Sequence, residues 1–104
     1  MRQVDASANG EQVAVQVDET LQLLLPETPT TGYRWRVISN GEPVTELVED
    51  RFQLPAEGTG QPGRHLWVFR VRQPGHASIA LHQTRAWEPD PTPVETFTLD
   101  VTAE

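Results

Sequence analysis

There is no cysteine in this chain of 104 residues. Disulfides, thiolate catalysis and cysteine-ligated zinc are therefore excluded, and thiol usage says nothing about the redox compartment. Lysine is absent too. All eight basic side chains are guanidiniums, a pattern consistent with GC-rich coding that says little about mechanism. Against them stand fifteen acids, for a net charge of −7. An acidic chain without a basic stripe matches nucleic acid poorly, so no nucleic-acid partner is expected. No apolar run approaches membrane-spanning length, and no membrane partner is expected either. The first ten residues, Met1 to Gly10, lack the hydrophobic core of a signal peptide. Two locations stay open: cytoplasmic, or periplasmic or secreted if a leader was removed. Helical periodicity is almost wholly missing.

What is present instead is alternation. Val13, Val15 and Val17 alternate with Ala14, Gln16 and Asp18, the pattern of a half-buried strand. Leu21, Leu23 and Leu25 continue it until Pro26, which is expected to end that strand. Tyr33, Trp35 and Val37 alternate with Arg34 and Arg36 up to the turn cluster Ser39-Asn40-Gly41. Between Val44 and Leu54 one or two short strands are expected, around Leu47-Val48 and Phe52, broken by Glu49-Asp50. His65, Trp67, Phe69 and Val71 face one way, then Pro74-Gly75 turns the chain. Ala77, Ile79 and Leu81 lead into Arg85-Ala86-Trp87, and Phe97, Leu99 and Val101 form the last strand. About seven strands, each with one apolar face, predict antiparallel sheets packed face to face. The fold class is therefore all-β, an immunoglobulin-like antiparallel β-sandwich. Nine prolines, seven glycines and 37% apolar residues suit one loop-rich globular domain. That domain is expected to span 1–104, with 1–10 a flexible or short-strand N-terminal segment. No crossover helix is available for parallel βαβ units.

Three stretches exceed what a simple turn requires. Pro26-Glu27-Thr28-Pro29-Thr30-Thr31-Gly32 is stiff and rich in hydroxyls. Pro29 fixes its own φ and extends Thr28; Thr30 and Thr31 are β-branched; Gly32 can supply a positive φ. A loop so restricted loses little entropy when a partner grips it. Pro55 to Gly63 holds three glycines and two prolines, and Glu88 to Pro93 holds three prolines. In a sandwich of this strand order the loops that contain them, Pro26 to Gly32, Pro55 to Arg64 and Thr84 to Pro93, meet at one end, and plain turns occupy the other. That asymmetry predicts a functional pole.

These three stretches resemble the signature loops of the chagasin-like inhibitors of cysteine peptidases. Thr28-Pro29-Thr30-Thr31-Gly32-Tyr33 is similar to that family's Asn-Pro-Thr-Thr-Gly-aromatic loop, with Thr28 in place of asparagine. Gly60-Gln61-Pro62-Gly63 aligns with its Gly-x-Gly-Gly loop, Pro62 replacing a glycine; Gly58-Thr59-Gly60-Gln61 is the alternative, with poorer spacing to the Trp67 strand. Arg85-Ala86-Trp87 keeps both ends of its Arg-Pro-Trp motif and loses the proline. The likeness runs along nearly the whole chain from Val13.

The resemblance implies a reversible protein inhibitor rather than an enzyme, with a papain-like cysteine peptidase as partner, engaged by a monomer without cofactor. It implies that the threonine loop sits over the catalytic cysteine and histidine of the peptidase and that the outer loops grip the cleft walls. Trp87 and Arg85 are of the types enriched at interface hot spots, and Arg85 could fork onto a carboxylate. The glycine-rich loop would let main chain approach the partner closely. Thr28 removes a capping side chain, Ala86 loosens the third loop and Pro62 stiffens the second. Those departures predict weaker affinity or a narrower target range than the family's tightest members.

The remaining residues offer no rival chemistry of comparable weight. His65, His76 and His82 lack metal-ligand spacing, so no metal is expected. Ser7, Ser39 and Ser78 have no nucleophile-elbow context. Trp35 and Trp67 are expected in the core, and Trp87 exposed. Gln83 stands where an aromatic is usual in the family and reads as either a sheet-rim or a hydrogen-bonded glutamine. The alternative function is a binding or adhesion module whose loops recognise another protein surface.

Overall fold

The computed structural model of the protein describes residues 2–27, 32–53, 63–85 and 93–104. Eight strands appear: β1 (Arg2–Val4), β2 (Glu11–Val15), β3 (Thr20–Glu27), β4 (Tyr33–Asn40), β5 (Thr45–Gln53), β6 (Gly63–Val71), β7 (Gly75–Arg85) and β8 (Glu95–Ala103). They form two four-stranded sheets, β1-β3-β6-β5 and β2-β8-β7-β4. The alternating apolar residues of both sheets meet between them. Leu21, Leu23, Leu25, Trp67, Phe69 and Val71 come from the first sheet; Trp35, Ile79, Leu81, Phe97, Leu99 and Val101 come from the second. Burying such side chains stabilises each by about 1.5–3 kcal/mol relative to exposure, the main reason that this pattern folds as a sandwich.

Four features of the strands refine the sequence reading. The first is the short strand β1, one of the two forms expected of residues 1–10, followed by a 3-10 turn at Ala6–Ala8. Asp5 caps that turn by accepting a bond from the Ser7 N–H at 2.9 Å, and the Ser7 hydroxyl also donates to it. The Ser7 hydroxyl, and after it the Ser7 N–H, hold the Asp5 carboxyl below the usual carboxylate range. Second, the sheets are mixed: β1 pairs parallel with β3, and β2 parallel with β8. No crossover helix is needed, because the chain passes from β1 to β3 by way of β2 in the other sheet, and β2 and β8 lie far apart in the sequence. Third, β3 does not stop at Pro26 but runs to Glu27. The pairing of β1 with β3 ends at Leu23, so one edge of β3 is open where proline has no N–H to donate.

Fourth, β5 is one strand of nine residues, and Glu49-Asp50 does not break it. It lies at the edge of its sheet, where charged side chains reach water, and a bulge at Val48 absorbs the irregularity. The other sheet's edge strand β4 has a matching bulge at Ile38. Both bulged residues are exposed aliphatics, on strands whose register is interrupted rather than open to a new partner.

Strand direction then fixes two poles. The turns after β2, β4 and β6 gather at one, tied by Asp18 N–H to Val71 C=O at 2.9 Å and Arg72 N–H to Val44 C=O at 2.8 Å. At the other pole β3, β5 and β7 end, and β4, β6 and β8 begin. All three stretches singled out in the sequence connect strands there.

Gly63, the first residue of β6, is buried there and is held by packing. A Cβ at this position would lie 2.2 Å from Cζ and 2.6 Å from Cε2 of Phe52, with the Gln53 carbonyl at 3.1 Å. Gly63→Ala is expected to destabilise the protein by about 1–3 kcal/mol through overpacking. Urea denaturation measures this, and adding Phe52→Leu should return part of the loss.

Candidate functional site

The loop pole is built on an aliphatic-to-polar progression along β3. Leu21, Leu23, Leu25 and Glu27 share one parity, and all four are buried. The last of them brings a carboxylate into the end of the core, where an unpaired charge would cost several kcal/mol. It is paired on both oxygens. Glu27 Oε2 accepts the backbone N–H of Trp35 at 2.9 Å, and Oε1 lies 3.1 Å from His65 Nδ1. Trp35 belongs to the opposite sheet, so this carboxylate ties the two layers together. A second tie runs alongside it: the Trp35 indole N–H donates to the Pro26 carbonyl at 3.0 Å. The sequence stretch 28–31 thus leaves and returns between two residues joined directly to each other.

His65 completes the arrangement. Its Nε2 is hydrogen-bonded to Asp50 Oδ1 on β5, and its ring stacks on Trp67 with centroids 4.2 Å apart and planes inclined by 9°. The side chains of His65, Glu27 and Asp50 are 15%, 2% and 49% exposed, so the histidine bridges a buried carboxylate and a half-solvated one. Sequence reasoning missed all three as a group. The parity of Glu27 with the leucines, and of His65 with Trp67, was the available signal.

On the other sheet, Tyr33 and Arg85 stand directly opposite one another across β4 and β7. The Arg85 Nε–H donates to the Tyr33 hydroxyl at 3.0 Å, and the guanidinium carbon lies 5.4 Å from the ring centroid. A cation over a tyrosine face at an exposed site contributes about 0.5–1 kcal/mol. This contact joins the end of the first loop to the start of the third. Gly32 has φ 82, so the positive dihedral expected of it is present and its replacement by any residue with a Cβ is strained. Gln83 is half-buried, paired across the sheet with Trp35 and Glu95, at the rim of the core.

Of the proposed binding residues, Gly32, Tyr33, Gly63 and Arg85 lie at this pole. A side chain at Gly63 would run into the ring of Phe52, so packing within the protein by itself requires glycine there. Thr28, Pro29, Thr30, Thr31, Gly60, Gln61, Pro62, Ala86 and Trp87 lie outside the described residues. Trp35 and Trp67 are core residues at 8% and 1% exposure. No cluster of metal-ligating side chains occurs among the described residues.

Comparison with known proteins settles the family. The model for the Chagasin family peptidase inhibitor I42 matches residues 14–101. The chain belongs to the chagasin family. As a member of a peptidase-inhibitor family, it is not an enzyme. No curated protein matches it by sequence. Among solved structures, the cysteine protease inhibitor EhICP2 from Entamoeba histolytica superposes with a TM-score of 0.82 at 19% identity, over 99% of this chain and 94% of that one. The solution structure of amebosin gives 0.70 at 27% identity, over 99% and 97%. PbICP-C, in complex with falcipain-2, gives 0.64 at 19%, over the full length of both chains. The chagasin-family sandwich here therefore spans the domain seen in these neighbours.

The two ties from Trp35 lead to a stability prediction. Trp35→Phe keeps the backbone bond to Glu27 but loses the indole bond to Pro26 and part of the buried ring. The expected loss is about 1–3 kcal/mol, read by urea denaturation.

Proposed function

We propose that this chagasin-family protein is a reversible inhibitor of papain-like cysteine peptidases, acting as a monomer that blocks the active-site cleft with three loops. One observation carries this reading. The three family-signature stretches all connect strand ends at one pole, and that pole is cross-tied between sheets by Glu27 and Trp35. A platform so braced suits a loop that must enter a cleft without yielding. EhICP2 is a cysteine protease inhibitor by name, and PbICP-C is described bound to falcipain-2; both support this class of partner.

The division of labour follows from the chemistry of each residue. Thr28-Pro29-Thr30-Thr31, braced by proline and β-branching, is the wedge, and it blocks without presenting a scissile bond in substrate geometry. Gly32 turns the chain back into β4. Tyr33 and Arg85 clamp the first and third loops together. Trp87 is the aromatic anchor on the cleft wall, with Ala86 between it and Arg85. Gly60, Gln61 and Pro62 present main chain to the opposite wall, with Gly63 fixing where that loop ends.

Titration of papain with the protein tests the reading, and no inhibition at tens of micromolar protein overturns it. Thr31→Arg and Trp87→Ala should leave the thermal transition in place and weaken inhibition. For Trp87→Ala the expected loss is about 2 kcal/mol or more in binding. Loss of the folded state in that variant would instead place Trp87 among the structural residues.

A further inference from the structure

Glu27 invites a question that its neighbours do not. If its task were only to accept the Trp35 N–H, a neutral side chain would serve without the cost of burying a charge. The charge has a partner, and that partner is itself held. His65 contacts Glu27 through Nδ1 and Asp50 through Nε2, and its ring lies flat on Trp67. A neutral imidazole has one N–H and one lone pair, so between two carboxylates it can donate to only one. The imidazolium donates to both.

We propose that Glu27, His65 and Asp50 form a positioning clasp for the threonine loop, and that the proton shared along it sets how firmly the loop's two ends are held. This rests on the reading of that loop as the blocking wedge. The clasp acts through Trp35: the Glu27 carboxylate holds the first residues of β4 against the end of β3, and so fixes the two strand ends that the threonine loop joins. The two carboxylates differ in what they can do when the imidazolium loses a proton. Asp50 is half-solvated and can turn into water; Glu27 is buried and cannot. The remaining proton therefore stays on Nδ1, facing Glu27, and the Asp50 contact is released. With the imidazolium the clasp has two bonds, and with the neutral ring it has one.

Other charged groups near the ring leave this assignment intact. Arg51 and Arg64, beside the clasp along β5 and β6, have the opposite strand parity and are exposed. On the facing sheet, Tyr33 and Arg85 are engaged with each other nearer the pole.

The test compares inhibition of papain by the wild type, Glu27→Gln, His65→Gln and Asp50→Asn across the range in which histidine changes charge, about pH 5 to about pH 8. Dividing each variant's inhibition constant by the wild-type value at the same pH removes the peptidase's own titration. Glu27→Gln should weaken inhibition roughly tenfold at the acid end. Asp50→Asn should be weaker than wild type at the acid end and converge with it at the alkaline end; His65→Gln should show a ratio that falls with pH in the same sense. Ratios that are flat with pH and within about twofold of one, in variants that keep their thermal transition, overturn the clasp. Should Glu27→Gln fail to fold, Asp50→Asn decides by the same criterion. A second readout needs no peptidase: in ¹⁵N-labelled protein the Trp35 backbone amide should shift with the His65 titration, and stop doing so in His65→Gln. A wild type that inhibits no peptidase but shows that coupled titration overturns the inhibitor reading and keeps the clasp. A wild type that inhibits while its Trp35 amide ignores His65 overturns the clasp and keeps the inhibitor.

Discussion

A buried carboxylate at the last residue of β3 holds the working end of this protein together. Two β-sheets packed through side chains can slide and rotate against each other at their ends, where the core thins out. Hydrophobic burial is non-directional and does not oppose such motion strongly. The Glu27–Trp35 bond supplies direction: it is a charge-assisted contact from a side chain of one sheet to the backbone of the other. The indole bond to Pro26 runs in parallel with it. Together they make the distance between the ends of the first loop a property of the core rather than of the loop.

Much of the fold could be read from the sequence, because strand parity is a strong signal. Leu21, Leu23 and Leu25, or Phe97, Leu99 and Val101, admit one inward face. What parity cannot supply is strand direction, so the parallel pairings of β1 and β2 were invisible. Nor does parity survive a bulge, which is why Val48 and Glu49-Asp50 read as an interruption. Pro26 misled for a related reason. A proline ends a strand only where a partner needs its N–H, and that need depends on which neighbour lies alongside.

The candidate site was legible in part. The positive φ at Gly32 follows from the residue type and its place before an aromatic strand. Gly63 shows how a motif can hide a second constraint: a glycine in a glycine-rich loop suggests a partner's approach, and this one also makes room for the ring of Phe52. Arg85 shows the reverse, since a residue assigned to the partner also secures Tyr33. The Glu27–His65–Asp50 group escaped notice because its members are spread over three strands. Only the register of β3, β6 and β5 brings them within reach of one another.

The parallel pairing of β2 with β8 has a practical side. β8 starts at the loop pole and runs away from it, and Glu104 ends bonded to Val15 and Val17 among the plain turns. A surface, a label or a second protein joined after Glu104 would therefore sit behind the sandwich, with the loop pole facing outward. Immobilised by that end, every molecule on a sensor chip or affinity resin would present the same face to solution.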